Sequence, residues 1–193
     1  MDDMNKGRIV IISGPYGSGK TTLCTKALNS PRLHGKLVKS ISATTRPKRS
    51  NEVNGRDYLF MGKEEFEAHI KADGFLEYEN VFGNYYGTPR RNVEDLLGKG
   101  QNVLLAIDVK GAKTVEKIYP DALKIFINAP SIEILKERLS ERGSENVKDL
   151  ATRLKTAEEE MAQAKYYRHT IVNDNLEKAY QKLEDVLGRE LDV

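Results

Sequence analysis

The chain has little of several things that would direct its chemistry elsewhere. Among 193 residues there is one cysteine, Cys24, and no tryptophan. A lone cysteine excludes an intramolecular disulfide, and Leu23-Cys24-Thr25 offers neither a CxxC pair nor a nearby histidine at ligand spacing, so structural zinc is excluded too. Cys24, beside Leu23, Ala27 and Leu28, reads as a small core residue. His34, His69 and His169 are dispersed without metal-ligand spacing and read as surface or capping residues. Long hydrophobic runs are missing: the longest, Val103 to Ile107, has five residues, against the roughly 20 that a membrane span needs. The polar start Met1-Asp2-Asp3-Met4-Asn5-Lys6 does not fit a signal peptide, so the expected location is cytoplasmic. Nor is there an excess of one charge sign. With 31 Lys+Arg against 29 Asp+Glu the formal net charge is +2, which excludes a polybasic tail and leaves any special charge to local arrangement.

What is present is a length that suits a single compact domain with a sizeable core. Ile9-Val10-Ile11-Ile12 is a β-branched run ending at Ser13-Gly14-Pro15, the pattern of a buried parallel strand stopping at a turn. Further strands are expected at Leu37 to Ile41, Val103 to Ile107, Leu123 to Ile127 and Thr170 to Val172. Helix-patterned segments run from Lys20 to Asn29, Arg91 to Lys99, Val109 to Ile118, Ser131 to Glu141, Val147 to Lys165 and Leu176 to Leu187, with Ser131 as an N-cap. The alternation predicts an α/β fold around a five-stranded parallel sheet. Between about Ser42 and Thr88 it is broken by short strand-like pieces (Asp57 to Met61, Gly74 to Glu77, Asn84 to Gly87) around one helical stretch, Lys63 to Ala72. That stretch reads as an inserted mixed α+β subdomain. Arg142 to Asn146, polar and between two charged helices, reads as a second moving part.

The strongest motif is Gly14-Pro15-Tyr16-Gly17-Ser18-Gly19-Lys20-Thr21, a full GxxxxGK[ST] between an expected strand and an expected helix, as a P-loop requires. Glycines let successive N–H groups face a polyphosphate, the helix N-terminus adds partial positive charge, Lys20 a full one, and the Thr21 hydroxyl a Mg²⁺ ligand. The four fixed positions coincide by chance in such a chain on the order of 1 time in 100. A second basic group, Ser42-Ala43-Thr44-Thr45-Arg46-Pro47-Lys48-Arg49, brings two guanidiniums and a lysine together after a strand. An arginine fork binds a phosphate dianion through paired N–H bonds, and Tyr58, Tyr85 and Tyr86 are placed to add hydroxyl donors to the same anion. A third group is the pair Arg138 and Arg142, at i and i+4 on one helix face.

With these residues the chain resembles the guanylate kinases from Arg8 to Leu187. The likeness rests on the P-loop, Thr44 to Arg49, Gly55-Arg56-Asp57-Tyr58, Phe75-Leu76-Glu77, Gly83-Asn84-Tyr85-Tyr86-Gly87-Thr88, Ile107-Asp108-Val109-Lys110-Gly111, Arg138-Leu139 with Arg142-Gly143, and Ile171-Val172-Asn173-Asp174. The resemblance implies a single domain, 1–193, with a P-loop NTPase core (1–41, 92–136 and 156–193), a GMP-binding subdomain (42–91) and a helical lid (137–155). It implies transfer of the ATP γ-phosphoryl group to GMP or dGMP with Mg²⁺, in a closed cleft. By position it assigns ATP to Gly14, Pro15, Tyr16, Gly17, Ser18, Gly19, Lys20, Thr21, Thr22 and Asn173, with Thr21 on the metal. Catalysis goes to Lys20, Arg138, Arg142 and Arg153. The GMP phosphate goes to Arg46, Arg49, Tyr58 and Tyr86, and the guanine side to Ser42, Glu77, Gly87 and Thr88, with Asp108 close to the acceptor nucleoside. Guanine presents N1–H and its 2-amino group side by side, two donors that one carboxylate such as Glu77 accepts together, while O6 needs a hydroxyl donor. The expected partners are ATP and GMP alone, with no nucleic acid and no membrane, in a monomer or weak homo-oligomer.

Three positions depart from the family pattern: Ala106 where an acidic residue is usual, Lys110 where Gln is common, and Ser144 where Thr is common. At Ala106 the missing carboxylate is one that organises hydrated Mg²⁺ and phosphates in the family, so Asp108, ending an apolar strand in the manner of a Walker B acid, is expected to take part of that role. Three alternatives stay open: a nucleoside monophosphate kinase of other base specificity, a noncatalytic guanylate-kinase-like scaffold that binds phosphorylated partners, and a nucleic-acid-dependent ATPase.

Overall fold

In a computed structural model, residues 7–81, 83–141 and 147–192 are described, without the side chains of 141 and 147–150. In chain order the elements are β1 (Ile9–Ser13), α1 (Lys20–Leu28), β2 (Leu37–Lys39), β3 (Ala43–Thr44), β4 (Leu59–Phe60), α2 (Lys63–Lys71), β5 (Phe75–Val81), β6 (Asn84–Pro89), α3 (Arg90–Gly98), β7 (Asn102–Ala106), α4 (Val109–Ile118), β8 (Leu123–Asn128), α5 (Ile132–Glu141), α6 (Val147–Met161), β9 (His169–Val172) and α7 (Leu176–Glu190). A five-stranded parallel sheet has the order β2-β7-β1-β8-β9, and a four-stranded mixed sheet the order β4-β3-β6-β5. Both the expected α/β alternation and the interruption after Ser42 are therefore present.

The described chain divides into two compact units, one of residues 7–9, 38–105 and 110–122, the other of residues 10–37, 106–109 and 123–192. In the second, β8 pairs parallel with β1 (Val10 beside Leu123, Ser13 beside Phe126) and with β9 (Ile125 beside His169, Asn128 beside Val172). Ile11, Ile12, Ile125, Phe126 and Ile127 are wholly buried, as β-branched and aromatic strands covered on both faces should be. Helix α1 buries Leu23, Cys24 and Ala27 and packs with α7, so Cys24 is a core residue. Ser131 caps α5: its hydroxyl accepts from the Ile134 N–H at 3.4 Å.

In the first unit the mixed sheet carries its own small core. Phe66 of α2 stacks on Phe75 (centroids 4.3 Å apart) and on Tyr85 (5.2 Å), with Ala43 beneath. Burying Phe66 and Phe75, with the half-buried Tyr85 packed on them, gives a two-layer subdomain cohesion that its short strands lack by themselves.

Boundaries differ from expectation in instructive places. Strand β3 was not foreseen, because two residues carry no readable period. Helix α6 ends at Met161 and continues as a 3-10 turn, Ala162–Tyr166. Helix α7 runs past Leu187 to Glu190, through a glycine that reads as a stop. A Cβ on Gly188 would lie 2.2 Å from the Arg32 guanidinium, so this glycine makes room for a neighbour instead of ending the helix.

Candidate active site

The loop after β1 is built by backbone conformations that only glycine takes easily. Gly14 has φ 146°, and a Cβ there would meet the Ile127 carbonyl oxygen at 2.0 Å, so the loop turns tightly against β8. Gly19 is the N-cap of α1 in the left-handed region. It has no side chain to occupy the first-turn N–H groups, and no acidic residue stands in that turn, which leaves the helix end suited to an anion. Lys20 Nζ donates to the Gly14 carbonyl and, at 3.0 Å, to that of Pro15. Ser18 is buried, while Thr21 and Thr22 are exposed on the first turn of α1.

Asn173 is 5% exposed and fastens this loop. Its Nδ2 donates to the Ser18 carbonyl at 2.8 Å, and its own N–H donates to Asn128 O at 2.8 Å. Arg138 of α5 donates to the Asn173 carbonyl at 2.9 Å. Arg153 of α6 lies over the ring of Tyr16, 5.5 Å from its centroid, a cation–π contact. Thus Tyr16, Ser18, Arg138, Arg153 and Asn173 are gathered around one loop, although they are scattered along the chain. Arg142 and Ser144 lie outside the described residues. Asp108 is half-buried, and its carbonyl accepts from the Ser13 hydroxyl at 3.3 Å. Ala106, at the end of β7, is exposed. Lys110 is exposed in α4, and nothing in the structure explains it.

The mixed sheet gathers the second group. Glu77 of β5 is opposite Thr88 of β6, both are buried, and the Thr88 hydroxyl donates to Glu77 Oε1 at 2.5 Å. A solvated surface carboxylate is thereby excluded for Glu77. Gly87, next to Thr88 on β6 and paired with Ala43 of β3, lies where a Cβ would come within 3.0 Å of both Phe66 and Phe75. The half-buried Ser42 accepts the Leu59 N–H through its carbonyl at 2.9 Å.

Arg46 is held by Glu52 Oε1 at 2.7 Å and by the Pro47 carbonyl at 2.7 Å, with its guanidinium over Tyr58 (5.7 Å) and Phe60 (5.8 Å). The Glu52 hydrogen bond, reinforced by one to Tyr86, raises the Arg46 pKa, and the same bond holds Glu52 below the usual carboxylate range. Burial pushes the Tyr58 phenol up, so it remains a proton donor at neutral pH. Tyr86 meets Tyr58 edge to face at 6.0 Å. Tyr85 does not join them: strand alternation sends its ring into the core against Phe66, which corrects the expectation that all three tyrosines serve one anion. Arg49 is exposed, and its backbone N–H donates to Glu52 Oε2 at 2.9 Å. Glu52 escaped the sequence reading because one glutamate among many in a polar loop carries no signal of its own.

The guanylate kinase family model matches residues 6–190. The chain belongs to the guanylate kinase family. A guanylate kinase of Carboxydothermus hydrogenoformans is 46% identical over 187 residues, covering 97% of this chain and 90% of that one. One of Rubrobacter xylanophilus is 42% identical, covering 96% of each. Among solved structures, a guanylate kinase from Anaplasma phagocytophilum aligns with a TM-score of 0.79 and 34% identity, covering 97% of this chain and 87% of that one. Membership of the guanylate kinase family accounts for the P-loop NTPase core and the mixed-sheet insertion alike.

Proposed function

We infer that this guanylate kinase family member is an ATP:GMP phosphotransferase, converting ATP and GMP (or dGMP) to ADP and GDP. The observation that carries the choice of acceptor is the buried Glu77 carboxylate beside Thr88. Glu77 accepts guanine N1–H and the 2-amino group, the Ser42 hydroxyl donates to O6, and Thr88, whose one hydroxyl hydrogen goes to Glu77, holds that carboxylate on the guanine side. Adenine, with an acceptor at N1, leaves these buried groups unpaired, and sites built on hydrogen bonds reject such misfits by about 10⁴–10⁵. Arg46, Arg49, Tyr58 and Tyr86 take the acceptor phosphate, and Asp108 the nucleoside.

Phosphoryl transfer asks for positioning and charge neutralisation, not for a covalent catalyst. The acceptor oxygen of GMP is already anionic, so no general base is required. Lys20 and the N–H groups of residues 14–22 hold the donor phosphates, Asn173 keeps that loop in shape, and Arg138, Arg142 and Arg153 balance charge that builds between donor and acceptor. Hydroxyl and carboxylate oxygens are the donor set that Mg²⁺ prefers, and the exposed Thr21 hydroxyl, with Asp108, fits that role. When bound with ATP, the ion neutralises the β- and γ-phosphates.

Among the described residues no helix is long and apolar enough to cross a membrane. We also assign a monomer or weak homo-oligomer. The deciding experiment is ADP release from ATP and Mg²⁺ with GMP, dGMP, AMP, UMP, CMP or TMP as acceptor. Turnover with the guanine nucleotides alone is expected, and its absence overturns the assignment.

A further inference from the structure

Glu52 belongs to none of the groups assigned above, yet both of its carboxylate oxygens are engaged by the basic turn that carries Arg46 and Arg49. One oxygen accepts from Arg46 Nη2 at 2.7 Å and the other from the Arg49 N–H at 2.9 Å. Its backbone closes the same turn, the Glu52 N–H donating to Arg49 O at 3.1 Å and the Lys48 ammonium donating to Glu52 O at 2.9 Å. Nor is it an ordinary surface ion pair: the side chains of Arg46 and Glu52 are only 16% and 13% exposed. The guanidinium is further confined by the Pro47 carbonyl and the rings of Tyr58 and Phe60.

A carboxylate next to arginines intended for a phosphate looks self-defeating, since it cancels one positive charge. Its geometry indicates a different role. Arginine has many rotamers, and freezing them when ligand arrives weakens binding. A guanidinium already locked at two N–H groups keeps its remaining donors in fixed directions. We propose that Glu52 is the positioning residue of the acceptor's phosphate subsite: one carboxylate orients Arg46 and, through the backbone, sets the turn from which Arg49 projects. Arg46 then contributes direction, while the exposed Arg49 contributes most of the uncancelled charge. This rests on the reading of Arg46 and Arg49 as phosphate ligands.

The test compares a ligand with the phosphate to one without it. GMP and guanosine are titrated calorimetrically into wild type, Glu52→Ala and Glu52→Gln, and KM for GMP and ATP and kcat are measured alongside. Glu52→Ala is expected to weaken GMP about 10–100-fold, the scale of one charge-assisted hydrogen bond. Guanosine binding and the KM for ATP stay unchanged. Glu52→Gln, which keeps the acceptor oxygen and loses the charge, is expected to fall between and provides a second variant if the alanine protein folds poorly. Equal losses for GMP and guanosine indicate a folding role and overturn the inference. So does tighter GMP binding in Glu52→Gln, which makes the carboxylate merely repulsive. Wild type that binds GMP more tightly than guanosine, with Glu52→Ala unchanged, overturns the inference alone; wild type that binds neither overturns the acceptor assignment with it.

Discussion

At the level of single residues, the site is organised by side chains that hold other side chains. Thr88 fixes the Glu77 carboxylate at 2.5 Å inside the subdomain, so the group proposed to meet guanine has one orientation. Replacing it by an amide of the same shape puts a donor where guanine also presents donors. Glu77→Gln is therefore expected to lower kcat/KM for GMP about 10²–10³-fold, by loss of charge-assisted bonds, while leaving KM for ATP unchanged in steady-state assays. Ala106 poses the reverse question. Because it is exposed at the end of β7, a carboxylate can be added there without burying charge, and stability should shift by no more than about 0.5 kcal/mol. Ala106→Asp is expected to raise turnover or lower the Mg²⁺ concentration for half-maximal rate. Unchanged values of both show that the methyl group is no handicap.

Among the elements, the mixed sheet depends most on a few contacts. Its strands β3 and β4 have two residues each, too short to stand alone, and Phe66 of α2 supplies the ring around which Phe75 and Tyr85 stack. Phe66→Ala should cost about 3–5 kcal/mol, and hydrogen exchange should show the loss concentrated in residues 42–91. Loss spread evenly over β1, β8 and β9 contradicts this account. The same elements show what could be read in advance. Period and β-branching marked β1, β7 and β8, and the match of α4 to Val109–Ile118 needed no tertiary information. Strand β3 and the passage of α7 through Gly188 were illegible. Pairing with β6 makes a strand of two residues, and α7 carries on through Gly188, whose missing side chain leaves space for the Arg32 guanidinium.

For the molecule as a whole, the proposed donor residues of the P-loop and lid fall in one compact unit, and all the proposed acceptor residues except Asp108 fall in the other. Each nucleotide should therefore leave its own signature. GMP alone is expected to slow amide exchange in residues 42–91, and ATP with Mg²⁺ in residues 14–22 and around Asn173. At one hundred times its Kd each ligand contributes about 2.7 kcal/mol of stabilisation, enough to read by mass spectrometry. Identical protection patterns for the two ligands contradict the division of labour.

Glu77 was singled out by resemblance to the guanylate kinases; the sequence by itself determined the α/β alternation, the P-loop with its lysine, the inserted subdomain and the basic turn that holds Arg46 and Arg49. These are local patterns: a period of two or of 3.6, or fixed spacing within eight residues, is written in consecutive letters. Tertiary structure alone decided that Tyr86 faces Tyr58 while Tyr85 joins the core, and that Asn173 ties down the loop at Ser18, 155 residues away. It alone decided that Glu52 clamps Arg46. Which polar groups become partners depends on which segments the fold brings together and removes from water, because only there does an unpaired donor or acceptor carry its full cost.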